Sequence, residues 1–189
     1  MPAASLTGTW RSVVVLVEPD PGSALDEGLT RAMVEDVLEL VGAMAGVQVA
    51  LCCPPAYDDP QALVWPGTPV LDPGELSRLL ERAGGQLCLV AADAPDLPVL
   101  LLATLFSALE GAPAAVAPAD GGGLVAVAVR LPWMRPLALA DAPPGAVVSS
   151  GWRRVRAPAD LERLDPGLEG WEATRAHLTG RPPPPSAGR

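Results

Sequence analysis

The sequence predicts an α/β domain, a three-layer α/β/α sandwich around a mostly parallel central sheet. Three observations carry that expectation. Ser12–Glu18 (SVVVLVE), Val47–Cys53 (VQVALCC) and Gln86–Ala92 (QLCLVAA) are short, continuous apolar runs, the pattern of strands covered on both faces. Helix-like segments, with apolar residues at steps of three and four, separate them. Strand–helix–strand alternation of this kind favours parallel pairing with helices on both faces.

Each element has a local reason. The first run ends in Pro19-Asp20-Pro21-Gly22, which can continue neither strand nor helix. From Asp26 to Ala45, Leu29, Met33, Val37, Leu40, Val41 and Met44 form one helical stripe, and Glu35, Asp36 and Glu39 read as a solvated face. Gly46 closes that helix. After the second run, a Pro-rich segment leads to a short strand around Thr68–Leu71. Asp72-Pro73-Gly74-Glu75 then combines a carboxylate cap, a first-turn proline and a glutamate three residues on, a strong helix start. That helix reaches Ala83 and stops at Gly84-Gly85. Pro98–Leu109 predicts an apolar, heavily packed helix, with Asp96 as its N-cap. Strands follow at Ala114–Ala117 and Leu124–Arg130, then a short strand at Arg153–Arg156 and helices at Pro158–Leu164 and Trp171–Leu178. The organisation expected is an N-terminal segment (1–11), a single domain (12–178) and a disordered Pro-rich tail (179–189).

Composition narrows the function. The 189 residues suit one domain with a substantial core, and 49% are hydrophobic. The net charge is −9 and all thirteen basic residues are arginine. A surface this acidic repels nucleic acid and anionic lipid, so neither is expected as a partner. Absence of lysine removes Schiff-base chemistry and a phosphate-loop lysine. Cys52, Cys53 and Cys88 sit in apolar runs and read as buried thiols rather than a disulfide framework. Met1–Trp10 lacks the pattern of a signal peptide, and Leu97–Leu109 is too short to span a bilayer, which predicts a cytoplasmic protein. The single histidine, His177, has no evident acidic partner in the sequence, so no histidine-based triad is expected.

In a parallel sheet, ligands collect beyond the carboxyl ends of the strands. Asp93, in Ala91-Ala92-Asp93-Ala94-Pro95-Asp96-Leu97, directly follows a buried strand, so its carboxylate is rigidly held. Such an oxygen ligand suits Mg²⁺ or Mn²⁺ bridging to phosphates. Asp120-Gly121-Gly122-Gly123 is either a flexible hairpin connection or a bare backbone that approaches a phosphate or sugar.

Together these segments resemble a bacterial glycosyltransferase-A-like family within the nucleotide-diphospho-sugar transferase and molybdenum-cofactor-type nucleotidyltransferase superfamily. The matching positions are Ala91, Asp93, Pro95, Leu97, Pro118, Asp120, Gly121 and Gly122, followed by Val155-Arg156-Ala157-Pro158-Ala159-Asp160-Leu161. The resemblance implies the fold of that superfamily and a nucleotide or nucleotide-sugar partner. It implies Asp93 as metal ligand, Asp93 and Asp120 as catalytic residues, and Pro21, Gly22, Gly121, Gly122, Arg154 and Arg156 around the nucleotide or its phosphates. Three departures cut against activity. The loop after the first strand has lost the family's basic residues, Gly123 replaces an aromatic, and Arg154 and Arg156 stand where relatives carry acids. Arginine cannot bind a metal, but it can pair with a phosphate or a carboxylate. Two functions therefore stay open: a metal-assisted nucleotidyl or glycosyl transferase, and a non-catalytic module binding a ligand or protein on the same fold.

Overall fold

The computed structural model describes residues 10–18 and 24–180. Pro21, Gly22 and the Pro-rich stretch from Arg181 lie outside the described residues. In chain order the elements are β1 (Arg11–Leu16), α1 (Glu27–Gly42), β2 (Val47–Cys52), β3 (Val70–Leu71), α2 (Pro73–Leu80), β4 (Gln86–Ala91), α3 (Val99–Ala108), β5 (Ala114–Pro118), β6 (Leu124–Arg130), β7 (Val147–Val148) and α4 (Glu172–Thr179). Single 3₁₀ turns cover Pro60–Leu63 and Pro158–Arg163.

The sheet runs β3-β2-β1-β4-β6-β5-β7. All pairs are parallel except those of β6, which is antiparallel to both β4 and β5. Val14 sits opposite Ala50 on one side and Leu89 on the other. The chain moves outward from β1 to β3, then crosses back to β4 and beyond. With right-handed crossovers, that reversal sends α1 and the later helices α2 and α3 to opposite faces. Val13, Val14, Val15, Leu87, Leu89 and Val127 are fully buried, as strands covered on both faces require. The reversal between β1 and β4 also opens a crevice beyond their carboxyl ends.

Local chemistry explains most boundaries. The Asp26 side chain accepts from the Leu29 amide and caps α1. Asp72 and Glu75 form a reciprocal capping box on α2, with Pro73 in the first turn. The apolar α3 buries Leu101, Leu102, Leu105 and Phe106.

Several expectations need correcting. The N-cap of α3 is Pro98, without a side-chain cap, because the Asp96 carboxylate is drawn away to Trp152 and Arg153. Arg153–Arg156 is not a strand. Trp152 alone bridges to Ala119, and an edge strand forms earlier, at β7. Thr179 ends α4 and Gly180 closes it in the left-handed conformation, so these two residues belong to the helix rather than to a tail. The Cys88 and Cys52 thiols are buried, and burial pushes them up to about 12 and about 11. Such thiols stay protonated and unreactive at neutral pH. None of the described helices is long and apolar enough to cross a membrane.

Asp36 departs furthest from the sequence reading. Glu35 and Glu39 are exposed, but Asp36 is buried on the inner face of α1. Its oxygens accept from the Ala173 and Thr174 amides, both at 2.8 Å, and so cap α4 from another helix. Burial pushes its carboxyl up to about 6, against the pull of those amides. Because this exceeds the ordinary 3.8, Asp36 contributes stability that is fully present below the ordinary value and lost as pH rises through the folded one. The unfolding free energy of the wild type minus that of Asp36→Asn should fall by on the order of 2 kcal/mol between about pH 4 and pH 6.5 in urea titrations. A flat difference would contradict a carboxyl whose titration is raised by burial.

Candidate functional site

Asp93 leaves the end of β4 with its main chain already committed, since its carbonyl accepts from the Val155 amide at 2.7 Å. That bond lays residues 152–155 across the carboxyl ends of the strands. Trp152 fixes the other end of the segment: its amide donates to Pro118 O and its carbonyl accepts from the Asp120 amide. Beneath it, the fully buried Asp96 carboxylate accepts from Trp152 Nε1 at 2.9 Å and from Arg153 Nε at 2.7 Å. The Arg153 guanidinium stacks on the Trp152 ring. Val155 packs into a small cluster with Met33, Leu164 and Trp171, tying the segment to α1 and α4.

These anchors aim Arg154 inward, where its side chain is only 4% exposed. Nε donates to Asp93 Oδ1 at 2.5 Å and Nη2 to Asp93 Oδ2 at 2.8 Å. Nη2 also donates to Glu18 Oε2 at 2.7 Å, and Nη1 to Leu124 O at 3.2 Å. Both Asp93 oxygens are thus engaged by a bidentate, charge-assisted pair. Burial pushes the Asp93 carboxyl above its ordinary value, and Arg154 opposes that rise. The carboxylates in turn hold the guanidinium above its ordinary value against its own desolvation.

A cavity of about 290 Å³ opens beside this pair. Its polar wall is Glu18, Asp93, Arg154, Arg156 and Thr30, and its apolar wall includes Leu25, Met33 and Val34 of the α1 side. Among the described residues, two carboxylates and two guanidiniums line it, so this part of the lining carries no surplus charge.

The remaining expected residues divide. Arg156 shares the cavity with Asp93 and reaches the glycine loop, donating to Gly122 O at 3.1 Å. Gly121 and Gly122 adopt positive φ and have open space at the Cβ position, so their backbone is accessible. Gly123 is different: a Cβ there would lie 2.9 Å from Leu139 O. The returning segment, whose Leu139 carbonyl accepts from the Leu124 amide, excludes an aromatic at that position. Asp120 lies outside the cavity wall, 54% exposed, and pairs with Arg163. His177 does have an acidic partner, Asp26, at 3.1 Å. Sequence reading missed Glu18 as a partner of Arg154, although its place at the end of β1 was a usable signal.

A divalent ion needs several donor atoms that converge on one point. Among the described residues, no group of three or more His, Cys, Asp or Glu side chains converges to hold one. The two carboxylates that do approach each other, Asp93 and Glu18, share a guanidinium. With Arg154 so placed, these residues do not fit a bound metal.

No protein-family model matches the chain, and no curated protein matches it in sequence. Solved structures do match. A provisionally named nucleotide-diphospho-sugar transferase from Desulfovibrio desulfuricans G20 superposes with a TM-score of 0.63 at 16% identity, covering 91% of this chain and 96% of that one. The fold is that of the nucleotide-diphospho-sugar transferases. Rv0371c from Mycobacterium tuberculosis H37Rv matches at TM-score 0.60 and 15% identity over 83% of this chain and 98% of its own, and that protein has also been solved with manganese. CMP:2-keto-3-deoxy-manno-octonic acid synthetase, solved with CTP, gives 0.57 and 13% over 82% and 96%.

The geometry separates two aspartates by consequence. Asp96→Ala leaves Trp152 Nε1 and Arg153 without their buried acceptor and should cost about 3 kcal/mol in urea denaturation. Asp120→Ala breaks a solvated pair and should stay within about 1 kcal/mol. Equal costs would contradict the anchoring described for residues 152–155.

Proposed function

We propose that the chain is a small-ligand-binding domain on the nucleotide-diphospho-sugar transferase fold, one that works without a divalent ion and does not perform metal-assisted transfer. The observation that carries this reading is the buried Arg154 guanidinium between Asp93 and Glu18. Metal-assisted transfer needs a carboxylate free to hold the ion that neutralises the phosphates. Here the carboxylate at the strand end is already neutralised by a side chain that cannot deprotonate. Moving Arg154 aside would strand buried charges on both partners, a change of about 3–5 kcal/mol in comparable pairs.

Ligand chemistry follows from the cavity. Leu25, Met33 and Val34 offer an apolar surface for a base or sugar ring, while Thr30 and Arg156 offer polar contacts. A lining with no surplus positive charge, in a chain of net charge −9, disfavours a polyphosphate. A nucleoside, a monophosphate or a sugar derivative suits it better. The active transferase remains the second reading, supported by the position of Asp93 and Glu18 at the ends of neighbouring strands lining one cavity.

Calorimetric titration of nucleosides, nucleoside mono- and triphosphates and nucleotide sugars, with Mg²⁺, with Mn²⁺ and with chelator, separates the two. We expect binding within the first classes whose affinity changes less than about twofold when metal is removed. Triphosphate binding that strengthens more than about tenfold with metal and vanishes in Asp93→Asn would overturn the proposal. So would a complete lack of binding across the panel.

A further inference from the structure

One guanidinium collects four oxygens from three separate parts of the chain. Asp93 contributes both carboxylate oxygens from the end of β4, Glu18 one from beyond β1, and Leu124 its carbonyl from the start of β6. The set is all oxygen, carries two formal negative charges and includes a main-chain carbonyl. That is the ligand chemistry of hard divalent cations. It is occupied instead by a buried side chain whose own segment is pinned by Trp152, Arg153 and Val155.

We infer that Arg154 is a built-in substitute for a divalent cation, and that replacing it with a small neutral side chain turns this pocket into a metal site. The inference rests on the reading that the wild-type site works without metal. Removing the guanidinium leaves two carboxylates facing one another in a part-buried site, where like charges repel strongly. Only a proton or another cation relieves them. Oxygens that surround a guanidinium stand farther apart than those around an ion, which needs about 2.0–2.6 Å. Glu18 lies half-exposed at a strand end, so it can move inward, and water can fill the remaining positions. Arg154 is accordingly a positioning residue: it joins the ends of β1, β4 and β6 as a bound ion would.

The test is Mn²⁺ uptake by Arg154→Ala, followed by the loss of the free-ion electron paramagnetic resonance signal, with thermal unfolding measured in parallel. Arg154→Ala should be less stable than wild type, should bind one Mn²⁺ about 100-fold or more tighter than wild type does, and should regain melting temperature when it binds. The double variant with Asp93→Asn should lose that uptake. Arg154→Gln, closer in size, decides the matter if the alanine variant does not fold with chelator present. A variant that folds only with Mn²⁺ supports the inference. Variants that fold with neither condition, or fold and take up no Mn²⁺, overturn it alone. Tight uptake at Asp93 in the wild type overturns both this inference and the metal-free reading of function.

Discussion

The pair between Arg154 and Asp93 governs more of this molecule than its small size suggests. A strand-end carboxylate and a buried guanidinium each demand a partner, because an isolated buried charge is far costlier than a paired one. Their bidentate bond, extended to Glu18 and the Leu124 carbonyl, satisfies both and brings together strands that are distant in sequence. It also fixes the wall of the cavity and its charge. Every functional statement about the crevice therefore depends on where this one guanidinium sits.

The segment that carries Arg154 is held by side chains more than by a ladder. Only Trp152 bridges to a neighbouring strand. The rest of the anchoring comes from Asp96 below, the Asp93 carbonyl beside it and the cluster of Val155 with Met33, Leu164 and Trp171. The same helix face of α1 that supplies Met33 to this cluster also supplies Asp36, which caps α4. The described chain from Trp152 onward is thus held mainly by a few buried polar bonds and one small apolar cluster. Such bonds specify position, since an alternative arrangement leaves a group unsatisfied.

The sheet was legible in the sequence for a simple reason. β1 and β4, and the second half of β2, are buried, so they read as short apolar runs bounded by turn residues. Capping chemistry at Asp72 was likewise local, written within four residues. What failed depended on partners far away in the chain. Asp96 looked like a helix cap because its true partners lie 56 and 57 residues on. Asp36 joined an acidic face by sequence, yet it points inward to a helix 137 residues away. β7 is a two-residue, exposed edge strand with no pattern to detect. Arg154 was half legible. Its type ruled out metal ligation and allowed a carboxylate partner, but nothing in the sequence chose between that partner and a phosphate.

Likeness of fold and the chemistry of the site separate at this point. The fold places a crevice beyond the strand ends and a carboxylate at its edge, and fold alone does not fix what happens there. The most direct test of the account is a crystal of the wild-type protein grown with Mn²⁺ and measured for anomalous scattering at the manganese edge. The account predicts no manganese between Asp93 and Glu18 and the Arg154 guanidinium in that place. A manganese peak coordinated by Asp93, with Arg154 turned away, would contradict it.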